Sequence, residues 1–138
     1  MRKKIIISVL CLVVAVGLLF GGMIFTELRR YERIISEIEL RTPDLSQIGD
    51  GTFSGTFDAT LISADVDVTV ENHRIIGITI INHHHGRGSA IEAEAVIYDV
   101  VLAQSIEGID AISGATNSSK VILIAIQNAL ENAIAEQP

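Results

Sequence analysis

The residues with the clearest chemical potential lie in a loop of small and hydroxylated residues before the last predicted helix. The first backbone N–H groups of a helix have no internal partners, and the helix dipole adds partial positive charge there, so such a loop suits a phosphate. Lys120 would add a formal charge in the first turn. The same composition also begins many helices that bind nothing. The candidate residues are Asp110, Ser113, Gly114, Ala115, Thr116, Asn117, Ser118 and Lys120.

Three consecutive histidines, starting at His83, form the second group with possible chemistry. Because neighbouring residues of a strand point to opposite faces, at most His83 and His85 could share a metal ion. No acidic or cysteine ligand lies at a fixed short spacing from them, so a polar strand end is favoured over a metal site. The flexible turn that follows carries one cation and consists of Gly86, Arg87 and Gly88.

The overall composition excludes several classes of protein. The net charge is −7, which argues against a nucleic-acid binder, because phosphate contacts need clustered Lys and Arg. The single Cys excludes a disulfide framework and a cysteine-based zinc site. A mean hydropathy of +0.45 is high for a chain of 138 residues that folds as one soluble unit. The hydrophobic excess must therefore be concentrated in one segment.

That segment is the uncharged run of 21 residues from Ile5 to Phe25. As a helix it would be about 32 Å long, enough to cross a bilayer core of about 30 Å. A cleaved signal peptide is the alternative, but no A-x-A cleavage pattern follows, so an uncleaved anchor in membrane lipid is predicted. Basic residues flank the run on both sides, and charge counting therefore does not decide the topology.

The segment after the anchor is predicted to continue as a helix from Thr26 to Leu40, with apolar residues at helical spacing. Pro43 ends it, and residues 42–49 are predicted as a short linker. Residues 50–138 hold twelve acidic and three basic residues, a net of −9. We therefore divide the chain into a transmembrane anchor (1–26), a juxtamembrane helix and linker (27–49) and an acidic domain (50–138).

Three strands are predicted at the start of the acidic domain. The clearest is Leu61–Glu71, where valines alternate with polar residues, as in a sheet with one buried face. A turn at 72–73 joins it to the β-branched segment Arg74–His83, in which Gly77 is expected to let a neighbour pack close to the sheet. Asp50–Asp58 is predicted as the first strand.

Two helices are predicted to follow the strands. Ser89–Gln104 has a stripe of apolar residues and Ser89 as a candidate N-cap. Ile106–Asp110 is expected to extend to a strand edge. Ser118–Ala135 is the last helix, capped by Asn117 or Ser118. The predicted fold is α+β: a small antiparallel sheet with two helices packed on it, preceded by a transmembrane helix.

Residues 50–131 resemble the FMN-binding domain family, which is found in subunits of the Rnf and Nqr type and in membrane-anchored bacterial flavoproteins. The resemblance rests on the run DGTFSG from Asp50, on the hairpin ending near Gly77 and on HGRG from His85. Its most specific part is Asp110-x-x-Ser-Gly-Ala-Thr116. Relatives often have a Gly in the hairpin turn, where this chain has His73.

The resemblance implies a covalent FMN. In that family a flavin transferase moves FMN from FAD onto the threonine hydroxyl of the S-G-A-T run, which here is Thr116. Ser113, Gly114 and Ala115 would then shape the loop, and Asp110 would belong to the pattern that the transferase recognises. Such flavinylation takes place outside the cytoplasm, so the domain is expected on the extracytoplasmic side of the cell membrane.

The leading functional hypothesis is a membrane-anchored electron carrier with one FMN on Thr116, working with membrane or extracytoplasmic redox partners. The chain shows no nucleophile–His pair or paired carboxylates, and this favours a carrier over a stand-alone enzyme. The alternative is a non-redox, membrane-tethered module of the same fold that binds a ligand or partner. A reductase with its own substrate is a third, weakened by the small size of the domain.

Overall fold

The computed structural model describes residues 2–84, 93–111 and 115–136, and it divides the chain into two compact units, Met1–Arg33 and Ile34–Pro138. The helices are α1 (Arg2–Ser36), α2 (Val96–Ala103) and α3 (Thr116–Ala135), and the strands are β1 (Gly51–Asp58), β2 (Ser63–Glu71) and β3 (Arg74–His84). The strands form one antiparallel sheet in the order β1-β2-β3, and α3 packs against β1 and β2. The predicted α+β class is confirmed.

In the part of the chain that the structure describes, one helix is long and apolar enough to cross a membrane. This candidate helix covers Ile6–Ser36 and contains an 18-residue window with a mean hydropathy of 2.7, and it is identified by length and composition alone. A signal sequence near the N-terminus would pass the same test. The helical form of the predicted anchor is confirmed at this level.

The hairpin between β2 and β3 turns through two residues with left-handed backbone angles. The φ angles of Asn72 and His73 are 49° and 59°. Two successive residues of this kind make the turn whose twist matches that of antiparallel strands. Asn is among the residues that tolerate it best, and the predicted turn at 72–73 is confirmed. His73 also has a contact of its own, since its Nδ1 lies 2.9 Å from the carbonyl oxygen of Ile48.

The alternation along β2 gives the sheet one buried and one wetter face. Val66, Val68 and Val70 are fully buried, whereas the polar residues between them are half-buried. Most of α3 faces this core, because apolar residues fill its middle turns. Its buried apolar residues are Val121, Ile122, Leu123, Ile124, Ala125, Ile126, Ala129, Leu130 and Ala133.

Helix α3 and the sheet approach each other very closely at Gly55 of β1. A Cβ atom placed there would sit 2.8 Å from the Cα of Ala129 and would also meet the carbonyl oxygen of Ala125. The role that we predicted for Gly77 was wrong, because among the described residues, apart from its chain neighbours, no atom lies within 4 Å of a Cβ placed at that position. Glycine at position 55 therefore sets the distance between α3 and the sheet.

Side-chain amides on α3 occupy carbonyl groups of β1. The Asn128 amide nitrogen donates to the carbonyl oxygen of Thr56 at 2.8 Å, and the Asn132 amide nitrogen donates to that of Ser54 at 3.1 Å. Because the two asparagines are four residues apart, they lie on the same face of α3. The helix is thus fastened to the strand by hydrogen bonds as well as by apolar packing.

The side-chain amide of Gln104 binds the backbone of β3 in a similar way. Gln104 ends α2 with a left-handed backbone (φ 55°), and its side chain reaches the backbone of Ile75. The Gln104 Oε1 accepts from the Ile75 N–H at 2.8 Å, and its Nε2 donates to the Ile75 carbonyl at 2.9 Å. This pair imitates the hydrogen bonds of a neighbouring strand and fixes the end of α2 to β3.

The segment after α1 differs from its prediction. The helix ends at Ser36 instead of Leu40, and the chain continues without regular structure to a single 3-10 turn at Leu45–Gln47. Residues 42–49, predicted as a linker, contact the rest of their unit, and Ile48 among them is fully buried. An extended backbone leaves N–H groups free for partners outside the segment, which a helix would occupy internally.

Helix α2 is shorter than predicted. It begins at Val96, after a turn in which the N–H of Ile97 donates to the carbonyl of Glu94 at 3.1 Å. Residues 85–92, which include the candidate cap Ser89, lie outside the described residues. The segment Ile106–Asp110, expected at a strand edge, is a loop. Ile106 in this loop is fully buried.

We expect Gly55→Ala to lower the free energy of unfolding by about 1–3 kcal/mol, because the added methyl group overlaps the backbone of α3. Thermal unfolding of the full chain in detergent, followed by circular dichroism, measures the change. Gly77→Ala is the matched control, since the space around that position is open. Equal melting temperatures for the two variants would contradict the close approach at Gly55.

Asp44 gives a stability prediction that depends on pH. Hydrogen bonds from the side chains of Ser46 and Gln47, and then from the Ser46 N–H, hold the pKa of the Asp44 carboxyl below its ordinary value of 3.8. A lowered folded-state pKa stabilises the protein above the unfolded-state value, and this contribution is lost as the pH falls through the folded-state value.

Asp44→Ala should therefore lower the melting temperature at pH 7, and the difference from the wild type should shrink below pH 3.8. Asp44→Asn keeps an acceptor for the turn but does not titrate, so the stability of this variant should not change through position 44, and the advantage of the wild type over it should also shrink below pH 3.8. A wild-type advantage over Asp44→Ala that stays constant from pH 7 to pH 3 would rule out this role of the carboxylate.

Candidate functional site

The candidate site lies at the N-terminus of α3, which begins two residues earlier than predicted. Thr116 is the first residue of the helix, and the residue that precedes it, Ala115, has no side chain that can accept a hydrogen bond. The predicted capping by Asn117 or Ser118 was wrong, because both residues already lie in the first helical turn. The first N–H groups of this helix thus receive no acceptor from the side chain of the capping residue.

The three hydroxyl groups of this turn differ in exposure. Thr116 is exposed, whereas Ser118 is 5% exposed and Ser119 is fully buried. The Ser119 hydroxyl donates to the carbonyl oxygen of Ala115 at 3.0 Å, which the Ser119 N–H also contacts at 2.9 Å. Only the hydroxyl of Thr116, among these three, belongs to an exposed side chain that an external group can approach.

The remaining predicted residues are distributed around this turn. Lys120 is half-buried in the same helix, Asn117 is exposed in its first turn, and Asp110 is exposed at the end of the preceding loop. The structure thus brings Thr116, Asn117 and Lys120 onto one helical end. Five predicted residues lie outside the described ranges: Gly86, Arg87, Gly88, Ser113 and Gly114.

A cleft of about 470 Å³ lies beside the loop that leads to the site. One wall comes from the last turns of α2 and the other from the loop, which turns at Gly108 with a φ of 78°. The cleft was missed by sequence reasoning, although the 64% exposure of Leu102 within an apolar helix marks it in the structure. Its lining residues are Asp99, Leu102, Ala103, Gly108, Ile109 and Asp110.

A second cleft, of about 420 Å³, lies on the wetter face of the sheet. Its polar lining is internally bonded: the Ser54 hydroxyl donates to Asp67 at 2.6 Å, and the Asn82 amide donates to Asp65 at 3.3 Å. Ile81 adds an exposed apolar side chain. Among the described residues, none of those predicted for the site lines this cleft.

The histidine run was predicted as a polar strand end, but its first residue, His83, has a buried side chain. The side chain of His83 is only 4% exposed, and its Nδ1 lies 3.9 Å from the Oε1 of Glu94. His84 is exposed, and His85 lies outside the described residues. Within the described ranges no group of three or more His, Cys, Asp or Glu residues could hold a metal ion.

Comparison with known proteins identifies one related family. The family model for the FMN-binding domain matches residues 62–131, just over half of the chain. The match begins before β2, ends within α3 and contains every residue predicted for the site. Neither the curated proteins nor the solved structures gave a match.

Proposed function

This chain belongs to the FMN-binding domain family, and we propose that it is a membrane-anchored electron-transfer protein that carries one FMN on Thr116. The family supports FMN as the cofactor and electron transfer as its use. The phosphoester linkage, the threonine that bears it and the extracytoplasmic location are the finer parts of the proposal.

The assignment of Thr116 as the attachment site rests on the exposure of its side chain. Flavinylation requires a hydroxyl that a separate enzyme can reach, and Ser118 and Ser119 in the same turn are buried. The side chain of Thr116 is exposed at the first position of α3. A phosphate on this residue would lie next to the first N–H groups of the helix, where a negative charge is stabilised by typically 0.3–1 kcal/mol.

The proposed modification is a transfer from FAD by a flavin transferase. A bond forms between the Thr116 Oγ1 and the phosphorus of the FMN portion, and the pyrophosphate bond of FAD breaks. AMP leaves, and the threonine hydroxyl loses its proton. The bound flavin supplies reversible electron transfer, which no side chain of this protein supplies.

The charge of the domain supports a covalent attachment. Residues 50–138 carry twelve acidic and three basic residues, so their net field opposes a phosphate anion. Aromatic residues are also few in this part of the chain: Phe53 and Phe57 are half-buried on β1, and Tyr98 is 68% exposed. A phosphoester would retain the cofactor without a ring-lined pocket or a strongly basic one.

The apolar part of α1 supports the membrane location. The candidate span would hold the domain at the bilayer surface, and the covalent bond would prevent loss of FMN by diffusion on the extracytoplasmic side. The redox partners would then be membrane or extracytoplasmic proteins. The alternative function is a tethered ligand- or partner-binding module of the same fold, in which Thr116 is not modified.

We expect co-expression of the full chain with a flavin transferase to give a fluorescent protein band after denaturing electrophoresis. Thr116→Ala should abolish the fluorescence, because it removes the accepting oxygen, and Thr116→Ser should retain part of it. Ser118→Ala is the matched control and should load normally, since Ser118 is buried. Mass spectrometry of the loaded band would locate the added group.

Absence of flavin from the wild-type band, beside a positive control substrate of the same transferase, would reject the electron-carrier proposal and favour the non-redox module. Loading of Thr116→Ala at the wild-type level would reject the attachment site alone. The two results therefore distinguish failure of the proposed function from failure of the proposed attachment site.

A further inference from the structure

We propose that Thr42 is a positioning residue for the loop from which the flavin-bearing segment departs. Thr42 belongs to residues 41–48, here called the strap, which lie outside the family match at residues 62–131. The strap would therefore determine how a segment of the family domain is presented to the flavin transferase. The inference rests on the proposed attachment to Thr116.

The hydroxyl of Thr42 holds the backbone of the loop directly. Its Oγ1 accepts from the N–H of Ile106 at 2.8 Å and from the N–H of Glu107 at 3.2 Å. It also lies 2.9 Å from the Ser105 hydroxyl, which donates to the Glu107 carbonyl at 3.3 Å. The Thr42 hydrogen therefore goes to the Ser105 oxygen, and all the hydrogen-bonding capacity of this hydroxyl is used.

The backbone of the strap adds two further bonds. The N–H of Thr42 donates to the Glu107 carboxylate at 3.2 Å, and the N–H of Arg41 donates to the Gln127 Oε1 at 2.8 Å. Glu107 lies in the loop before the attachment segment, and Gln127 lies in the helix after it. The strap thus connects the two chain segments that flank Asp110 and Thr116.

The loop is fixed at its start, just before the residues that Thr42 holds. Ile106 is fully buried, and Gln104 holds the preceding helix end to Ile75 through two hydrogen bonds. Asp110 follows Glu107 by only three residues. The backbone orientation at 106–107 therefore sets the direction in which the chain leaves towards Asp110.

Loss of the Thr42 hydroxyl would leave two backbone N–H groups without their acceptor. The Ile106 N–H is part-buried, so the free-energy cost of losing its acceptor favours local opening by about tenfold or more, whereas the Glu107 N–H is exposed. An open loop presents Asp110 and Thr116 in many relative arrangements, and the transferase would meet the productive one less often. We therefore expect slower flavinylation with an unchanged attachment site.

The test compares Thr42→Val, which keeps the shape but loses the acceptor, with Thr42→Ser, which keeps the acceptor. Amide hydrogen exchange of the full chain in detergent should be about tenfold faster at Ile106 and Glu107 in Thr42→Val. Its initial rate of covalent flavin loading by purified transferase should fall severalfold. Thr42→Ser should restore both measurements to near the wild-type values.

Thr52→Val is the matched control. It removes a hydroxyl that lies 3.1 Å from the Thr69 hydroxyl on the sheet, away from the loop, and it should leave loading and loop exchange unchanged. If Thr42→Val fails to fold, Ser105→Ala replaces it, because this change removes the acceptor of the Thr42 hydrogen. The same two effects should then appear in weaker form.

Normal or faster loading of Thr42→Val would overturn the positioning role, as would unchanged exchange at Ile106 and Glu107. A loading defect shared by Thr42→Ser or Thr52→Val would also overturn it, since general destabilisation would then explain the result. If the wild type takes no flavin while exchange responds as expected, the proposed function fails and the role in presenting Thr116 fails with it. The hold of Thr42 on the loop would then stand as a structural result alone.

Discussion

The arrangement of this domain depends on the contact between the backbone of α3 and the sheet at Gly55. The helix lies so close to β1 that a single methyl group at this position would overlap its backbone. Two asparagine side chains reach the carbonyl groups of β1 only because of that closeness. With its middle turns buried, α3 is held along its length, and its first residue, Thr116, has a fixed place relative to the sheet.

Local patterns in the sequence were sufficient for the order of the strands and helices, but not for the ends of the helices. The alternation along β2 and the turn at 72–73 depend on neighbouring residues, and the structure has both as predicted. The most specific signal for the family was a short run that ends at Thr116. The position of Thr116 in the first turn of α3 could not be predicted from the sequence, because Ala115 offers no side-chain signal for a helix start.

The features that sequence reasoning missed depend on contacts between distant residues. Gly55 and Gly77 look alike in a strand, and only the path of α3 decides which one needs to be a glycine. The strap resembled a linker because Thr42 meets partners more than 60 residues away. His83 was interpreted as a polar strand end, and its burial beside Glu94 could not be inferred from the neighbouring histidines.

The side-chain amides at the two outer strands have a consequence for crowding on a membrane. Unpaired backbone groups at the edge of a sheet are a template to which another chain can add a strand. Copies held on one bilayer by α1, as proposed, would meet at a much higher effective concentration than free copies in solution. Asn128, Asn132 and Gln104 occupy backbone groups at these edges, and so make self-association through added strands less favourable.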